Sequence, residues 1–385
     1  MTKHIAIAGG GIAGLAAAAS FAKLGFDVDV YEQGNNLREI GAGIYVKENT
    51  FDVLDELGLS ERIESAGVRI NAARIVDQDQ VIVTSRDVSK ERLVVCLRSE
   101  LHNALRDRAI ELGAKIHTGR RVVGADPKGV LHFSDGEQVE ADLVIGADGL
   151  HSRVRDSLQL ARLKVGLGDG ATRVLVPKHP NEAPFSTEHW SGQLRVGIAP
   201  CSEEYTYLFI IGPEKDRRAT RVPLDKSYWK RNFPHLAQYF DAVVPEMSVH
   251  HRHEVVYCDS WVKGRVAIIG DAAHAQPPNF GQGAGVAICA AWELAECLAA
   301  EEDVRDALHD WEKTTRPRIN MVQGLTTAYD ILNYKWPRPL TPLRSKLFTA
   351  ISKSSVLSKP WEFYWRGGRV EPRELGNYAI GDPRP

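Results

Sequence analysis

The hydrophobic positions of this chain follow two rhythms. Toward both ends, short apolar runs alternate with helical stretches; in the middle, runs rich in Val, Ile, Tyr and Phe succeed one another with few helices between them. The run Ile5-Ala6-Ile7-Ala8 reads as a buried strand, Ile12 to Leu24 as a helix closed by Gly25, and Val28 to Tyr31 as a strand ending at Glu32. Phe51 to Leu57 and Glu61 to Ala66 read as two short helices split by Gly58. Ile70 to Val83 turns to alternating strands, with a charged turn at Asp77-Gln78-Asp79. Val94 to Leu97 is another strand, Ser99 a candidate N-cap, and Glu100 to Leu112 an amphipathic helix ended by Gly113. Lys115 to His117, a pair around Asp135-Gly136 and the apolar run before Gly146 complete this part.

From Gly170 to Val256 the strands Thr172–Val176, Gln193–Ile198 and Tyr205–Ile211 dominate, with Tyr228–Phe240 as the expected helical exception. The first rhythm returns at Gly264–Ile269 and in a long helix, Val286–Ala300. Strand–helix alternation implies a parallel sheet, so the pattern predicts an α/β framework with a mostly antiparallel sheet inserted into it. Neither repeats nor low-complexity segments interrupt it.

Composition narrows the function more than the fold. A net charge of −2 over 385 residues gives no electrostatic case for nucleic acid or an anionic membrane. The five cysteines include no CxxC pair, which predicts reduced thiols in a cytoplasmic protein. The first strand starts at Ile5 with no signal peptide expected before it, and no apolar stretch reaches roughly 18 residues. No HExxH or comparable metal spacing and no GxSxG elbow occurs, so neither a metal site nor a serine nucleophile is expected.

The chemistry begins at the end of the first strand. Gly9-x-Gly11-x-x-Gly14, followed at Glu32 by an acid closing the next strand, fits a dinucleotide site. Gly9 permits the turn, Gly11 lets backbone approach a pyrophosphate, and Gly14 lets helix and strand pack closely. The helix start, where Ala13 sits, offers free N–H groups and the positive dipole end. Glu32 can accept from both ribose hydroxyls and disfavours a 2′-phosphate.

Other candidates are spread along the chain. Arg38 either reaches a phosphate or ribose or is a solvated charge, and Gly41-Ala42-Gly43 suggests backbone passing close to a ligand. Ala147-Asp148-Gly149 ends a buried strand; Asp148 alone could be a helix cap, but the strand end favours a cofactor contact. Gly270-Asp271 ends a second strand, and Gly281-Gln282-Gly283-Ala284-Gly285 opens a helix. His274 lacks an acid partner in the pattern and reads as structural.

Taken in order, these three motifs resemble the single-component FAD-dependent aromatic hydroxylases, over about Ile5 to Ile319. The resemblance implies a Rossmann-type FAD-binding domain (residues 1–69, 94–160 and 258–335), an inserted antiparallel substrate domain (70–93 and 161–257), and a helical C-terminal region (336–385). It implies that Glu32 binds the adenosine ribose, that Arg38, Ala42 and Arg98 contact FAD, and that the backbone near Val123 meets the adenine. Asp148 would touch FAD and the nicotinamide nucleotide, Asp271 the ribityl and pyrophosphate, and Gly283-Ala284 the isoalloxazine. Gly285 stands where many members carry Asn.

Arg195, Pro200-Cys201 and Tyr207 also have the spacing of a hydroxypyridine-carboxylate oxygenase within that group. By that resemblance Arg195 holds a substrate carboxylate, Tyr207 bonds the ring hydroxyl, and Tyr45 lies beside them; read as bare residues, Arg195 would be a surface strand position and Tyr207 core. Pro277-Pro278 would form a rigid apolar edge by the flavin. The implied reaction uses NADH or NADPH, FAD and O2 to hydroxylate an electron-rich aromatic or pyridine carboxylate through a flavin C4a-hydroperoxide. Ring opening, a salicylate-type reaction, a flavin reductase and a redox sensor are the alternatives, and a monomer or homodimer is expected.

Overall fold

The computed structural model describes residues 2–37, 42–244, 248–337, 340–356 and 358–368. A six-stranded sheet carries the fingerprint, with spatial order Val262–Lys263, Val266–Ile268, Leu143–Gly146, His4–Ala8, Asp27–Tyr31, Lys115–His117. All neighbours are parallel except the first pair. Parallel strands are covered on both faces, which is why these read as continuous apolar runs. The helices Ile12–Lys23 and Gly283–Ala300 pack against each other in this core. Gly283–Ala300 is long and apolar enough to span a membrane, but most of it is buried here.

The second sheet has seven strands, in the order Val249–Cys258, Ala161–Pro177, Tyr205–Pro213, Leu194–Pro200, Phe185–Ser191, Ala72–Val76, Ile82–Asp87. Only Phe185–Ser191 against Ala72–Val76 is parallel; the other five pairings are antiparallel. Alternation divides its two faces. Val174, Val176, Val196, Leu208 and Ile210 pack with Trp229, Phe233 and Phe240. Leu175, Ala199, Tyr207 and Phe209 look the other way, toward Ala42, Tyr45, Val95 and Leu97.

Several elements differ from the pattern-based reading. Tyr228–Phe240 is not one helix: Lys226–Asn232, Pro234–Leu236 and Ala237–Ala242 are separate pieces, broken where Pro234 lacks an N–H. Ser99 is not an N-cap, because the helix Arg98–Glu111 starts one residue earlier with no side-chain cap. A 31-residue helix, Val304–Tyr334, runs through Pro317. Thr341–Lys353 and Lys359–Trp365 are the C-terminal helices.

Candidate cofactor groove and aromatic chamber

The glycine fingerprint divides its labour. Gly9 has φ +106°, and a Cβ on it would stand 2.5 Å from the Ala147 carbonyl oxygen; one on Gly14 would stand 2.0 Å from the Gly9 carbonyl oxygen. These two let the helix, the first strand and the Asp148 strand close together. Among the described residues a Cβ on Gly11 would meet nothing within 4 Å, so this glycine borders open space. Glu32 Oε2 accepts from Gly10 N at 2.8 Å and Oε1 from Gly34 N at 2.8 Å. Each carboxylate oxygen keeps a second lone pair for a ribose hydroxyl. His102 Nε2 lies 2.9 Å from the Gly10 carbonyl oxygen, fixing the turn from a neighbouring helix; no sequence pattern marked it.

The other two motifs meet the first at the same sheet end. A Cβ on Gly270 would lie 2.8 Å from Ala13 Cβ, so the glycine preceding Asp271 allows that approach. Asp148 Oδ2 accepts from Arg153 N at 2.7 Å and Val154 N at 3.1 Å, acting as a helix cap, while its buried Oδ1 has no partner among the described residues. Arg155 Nη1 donates to Leu150 O at 3.1 Å and Ala272 O at 3.3 Å, tying the Asp148 loop to the Asp271 turn. His274 is buried 5.1 Å from the Trp261 ring, and burial pulls it down to about 4. It is a neutral core residue.

This arrangement fits FAD. Among the described residues nothing lies within 4 Å of a Cβ on Gly11 or Gly149, and only Gln276 approaches Gly283. The helices Ile12–Lys23 and Gly283–Ala300 both begin without a side-chain cap, leaving amides for phosphate and flavin oxygens. Ala284 is half-buried beside Gly283, and Asp271 is exposed at its strand end. A Cβ on Gly285 would meet Thr50 Oγ1 at 2.6 Å, so no side chain reaches flavin from there. Val123 has an exposed side chain on the strand Val122–Asp126. Arg38 lies outside the described residues.

Beside the groove, several segments pack into a buried aromatic cluster. Arg98 N donates to Ala42 O at 2.9 Å, extending the antiparallel pairing of the strand Gly43–Val46 with Val94–Leu97. A Cβ on Gly43 would touch the Tyr207 ring at 2.7 Å, and one on Gly281 would touch Tyr45 Cβ at 2.6 Å. Tyr207 and Tyr45 therefore share one enclosure with the Pro278–Gly281 turn. The Tyr45 hydroxyl pairs with Ser186 Oγ at 2.7 Å, a partner the sequence reading missed. Burial raises the Tyr207 hydroxyl despite the Arg173 and Arg98 charges nearby, so it remains a protonated donor.

Arg195 is on the same face of the sheet but is already engaged. Its side chain is 1% exposed; Nη2 donates to Asp330 Oδ1 at 2.7 Å and Nη1 to Asn279 Oδ1 at 2.8 Å. Asp169 and Glu188 each stand 3.6 Å away. His253 Nδ1 adds a bond to Asp169 at 3.1 Å; burial would lower this imidazole, yet Asp169 and Asp330 raise it to about 9. A substrate carboxylate would enter a cluster holding three carboxylates against two cations. The geometry argues against the clamp expected of Arg195: its guanidinium instead secures Asn279, next to Pro278.

The sequence profile of the family described as "FAD binding domain" matches residues 2–323. The chain belongs to this family. A 2-heptyl-3-hydroxy-4(1H)-quinolone synthase of Mycobacteroides abscessus is 36% identical over 343 residues, 85% of this chain and 89% of the relative. Crystalline 2-methyl-3-hydroxypyridine-5-carboxylic acid oxygenase, in a tetrameric form, is 31% identical, with TM-score 0.83 over 96% of this chain and 98% of the other. Klebsiella pneumoniae HpxO, complexed with FAD and uric acid, shares the fold at 22% identity and TM-score 0.83, over 95% of this chain and 97% of the other. The protein is an FAD-dependent monooxygenase acting on aromatic substrates, with NAD(P)H as the reductant typical of its family.

Proposed function

We propose that this enzyme hydroxylates a neutral N-heteroaromatic ring of the 4(1H)-quinolone type carrying an apolar substituent. The observation that carries the reading is Arg195: committed to Asp330 and Asn279, it is not free to hold the carboxylate of a pyridine carboxylic acid. The cluster around Tyr207 otherwise consists of apolar and aromatic side chains such as Tyr45, Leu97, Leu175, Phe209 and Trp365, surroundings that suit a flat apolar ring better than a small acid. The name of the 36% identical relative supports the same substrate class.

Bound in the groove and reduced by NAD(P)H, FAD supplies an activated oxygen atom from O2. The chain's own contribution is binding and exclusion. Gly11, the two uncapped helix starts, Glu32, Asp148 and Asp271 would hold the cofactor. Tyr207, a buried donor, orients the substrate through a ring oxygen, while Tyr45 and Pro278 fix the ring's edge. Tyr207 is 5% exposed, so a ring bound against it would lie away from bulk water. The product keeps its ring, because a hydroxylated carbon bearing hydrogen regains aromaticity by losing a proton.

The test is substrate-stimulated NAD(P)H oxidation over 2-alkyl-4(1H)-quinolones, hydroxypyridine carboxylates and salicylate, with labelled O2 and mass spectrometry. One labelled atom in an intact quinolone is expected. Turnover of carboxylates alone, or two labelled atoms in an opened ring, overturns the assignment and favours the hydroxypyridine reading suggested by the 31% identical oxygenase.

A further inference from the structure

We infer that Arg173, rather than Arg195, is the cation that selects the substrate, by donating to an oxygen on its ring. The inference deepens the proposed function and rests on its substrate class. Arg173 lies on the strand Ala161–Pro177 directly across from Phe209, and Leu175, two positions along, lies across from Tyr207. Val174 and Val176 pack toward the helical side of the sheet, while Leu175 packs with Tyr207. Strand alternation therefore puts Arg173 on the chamber face, diagonal to Tyr207.

What separates it from its neighbours is pairing. Among the described residues the Arg173 side chain makes no hydrogen bond or ion pair, and its Nε is shut off from solvent without an acceptor. Arg195, on the same face, is already paired with Asp330 and Asn279. The Arg173 charge does reach Tyr207, since it acts to lower that hydroxyl against the effect of burial. A buried guanidinium N–H without an acceptor is unfavourable until something fills the position. A flat ring lying against Phe209 and Tyr207, with its keto oxygen at the guanidinium, supplies that acceptor. The contact also fixes which edge of the ring faces the flavin site, and so which carbon meets electrophilic oxygen. Specificity follows as well, because a ligand without the oxygen leaves Arg173 unpaired.

The test uses the FAD-loaded enzyme and its Arg173→Met and Arg173→Lys variants, with flavin content and melting temperature checked for each. Dissociation constants are read from the flavin absorbance change on adding 2-heptyl-4(1H)-quinolone or 2-heptylquinoline, which lacks the ring oxygen. Arg173→Met is expected to weaken the quinolone about 10-fold to 100-fold and leave 2-heptylquinoline unchanged, with Arg173→Lys in between. Equal quinolone affinity in wild type and Arg173→Met, or equal weakening of both ligands, overturns the inference. If wild type binds no quinolone but binds a hydroxypyridine carboxylate in an Arg173-dependent way, the substrate proposed above fails while the role of Arg173 stands.

Discussion

Arg195→Met separates the two roles this residue could have. Arg195 is 1% exposed and Asp330 is 0% exposed, joined at 2.7 Å, with Asn279 completing the set at 2.8 Å. Removing the guanidinium leaves Asp330 the Asn279 amide and His253, with a single buried cation now facing Asp330, Asp169 and Glu188. Breaking such a buried pair costs about 3–5 kcal/mol. At roughly 2.1 cal/mol/K per residue, a chain of 385 residues unfolds with an entropy near 0.8 kcal/mol/K, so the melting temperature is expected to fall about 4–6 °C. Differential scanning fluorimetry of the FAD-loaded protein measures this, and Arg195→Met/Asp330→Asn is expected to recover part of the loss. A melting temperature within about 1 °C of wild type, together with substrate affinity weakened 10-fold or more, would refute the reasoning and return Arg195 to the substrate.

Two glycine variants divide folding from cofactor binding. Gly14→Ala, whose Cβ would stand 2.0 Å from a backbone oxygen, is expected to lower both stability and flavin content, whereas Gly11→Ala, in open space, is expected to lose FAD while the apo-protein melts unchanged. Flavin absorbance and melting curves read both. His253 is raised to about 9 in the fold, so its stabilising effect is complete below pH 6.5 and is lost as pH rises through about 9; His253→Gln is expected to flatten that limb of the pH–stability curve. His274 is lowered to about 4, so it resists protonation in the fold and costs stability as pH falls from 6.5 toward 4, a limb that His274→Leu is expected to remove. Ser186→Ala takes away the Tyr45 partner and is expected to cost about 1 kcal/mol by denaturant titration, with FAD content unchanged.

Local signals carried the cofactor side of this enzyme into the sequence. Gly9, Gly11, Gly14 and Glu32 lie within one strand–helix–strand unit, where spacing and geometry are nearly the same information. The chamber is different. Arg195 and Asp330 are 135 positions apart, and no periodicity tells an arginine on a strand that a helix will bring it a carboxylate. The helix supplying that carboxylate was itself obscured, since Pro317 sits in its middle. Phe185–Ser191, which carries Glu188, was missed because its polar residues dilute the strand pattern. Arg173 was passed over for the opposite reason: what marks it is an absence of partners, which only the packed sheet reveals.

The parallel pairing of Ala72 with Phe185 bears on how the chain reaches this state. Two strands of the substrate sheet are synthesised long before the five that follow them, and the Leu143–Gly146 strand of the other sheet comes between. Emerging from the ribosome, Ala72–Asp87 has no sheet to join, and its apolar edge must wait for distant segments. Loop closure over such separations slows folding and lengthens the exposure of unpaired edges. Neither sheet can be completed before Val249–Lys263 is made, and the Gly283–Ala300 end of the groove forms later still. Flavin capture therefore belongs to the end of biogenesis, and yield during expression is expected to follow temperature and chaperone supply more closely than flavin supply.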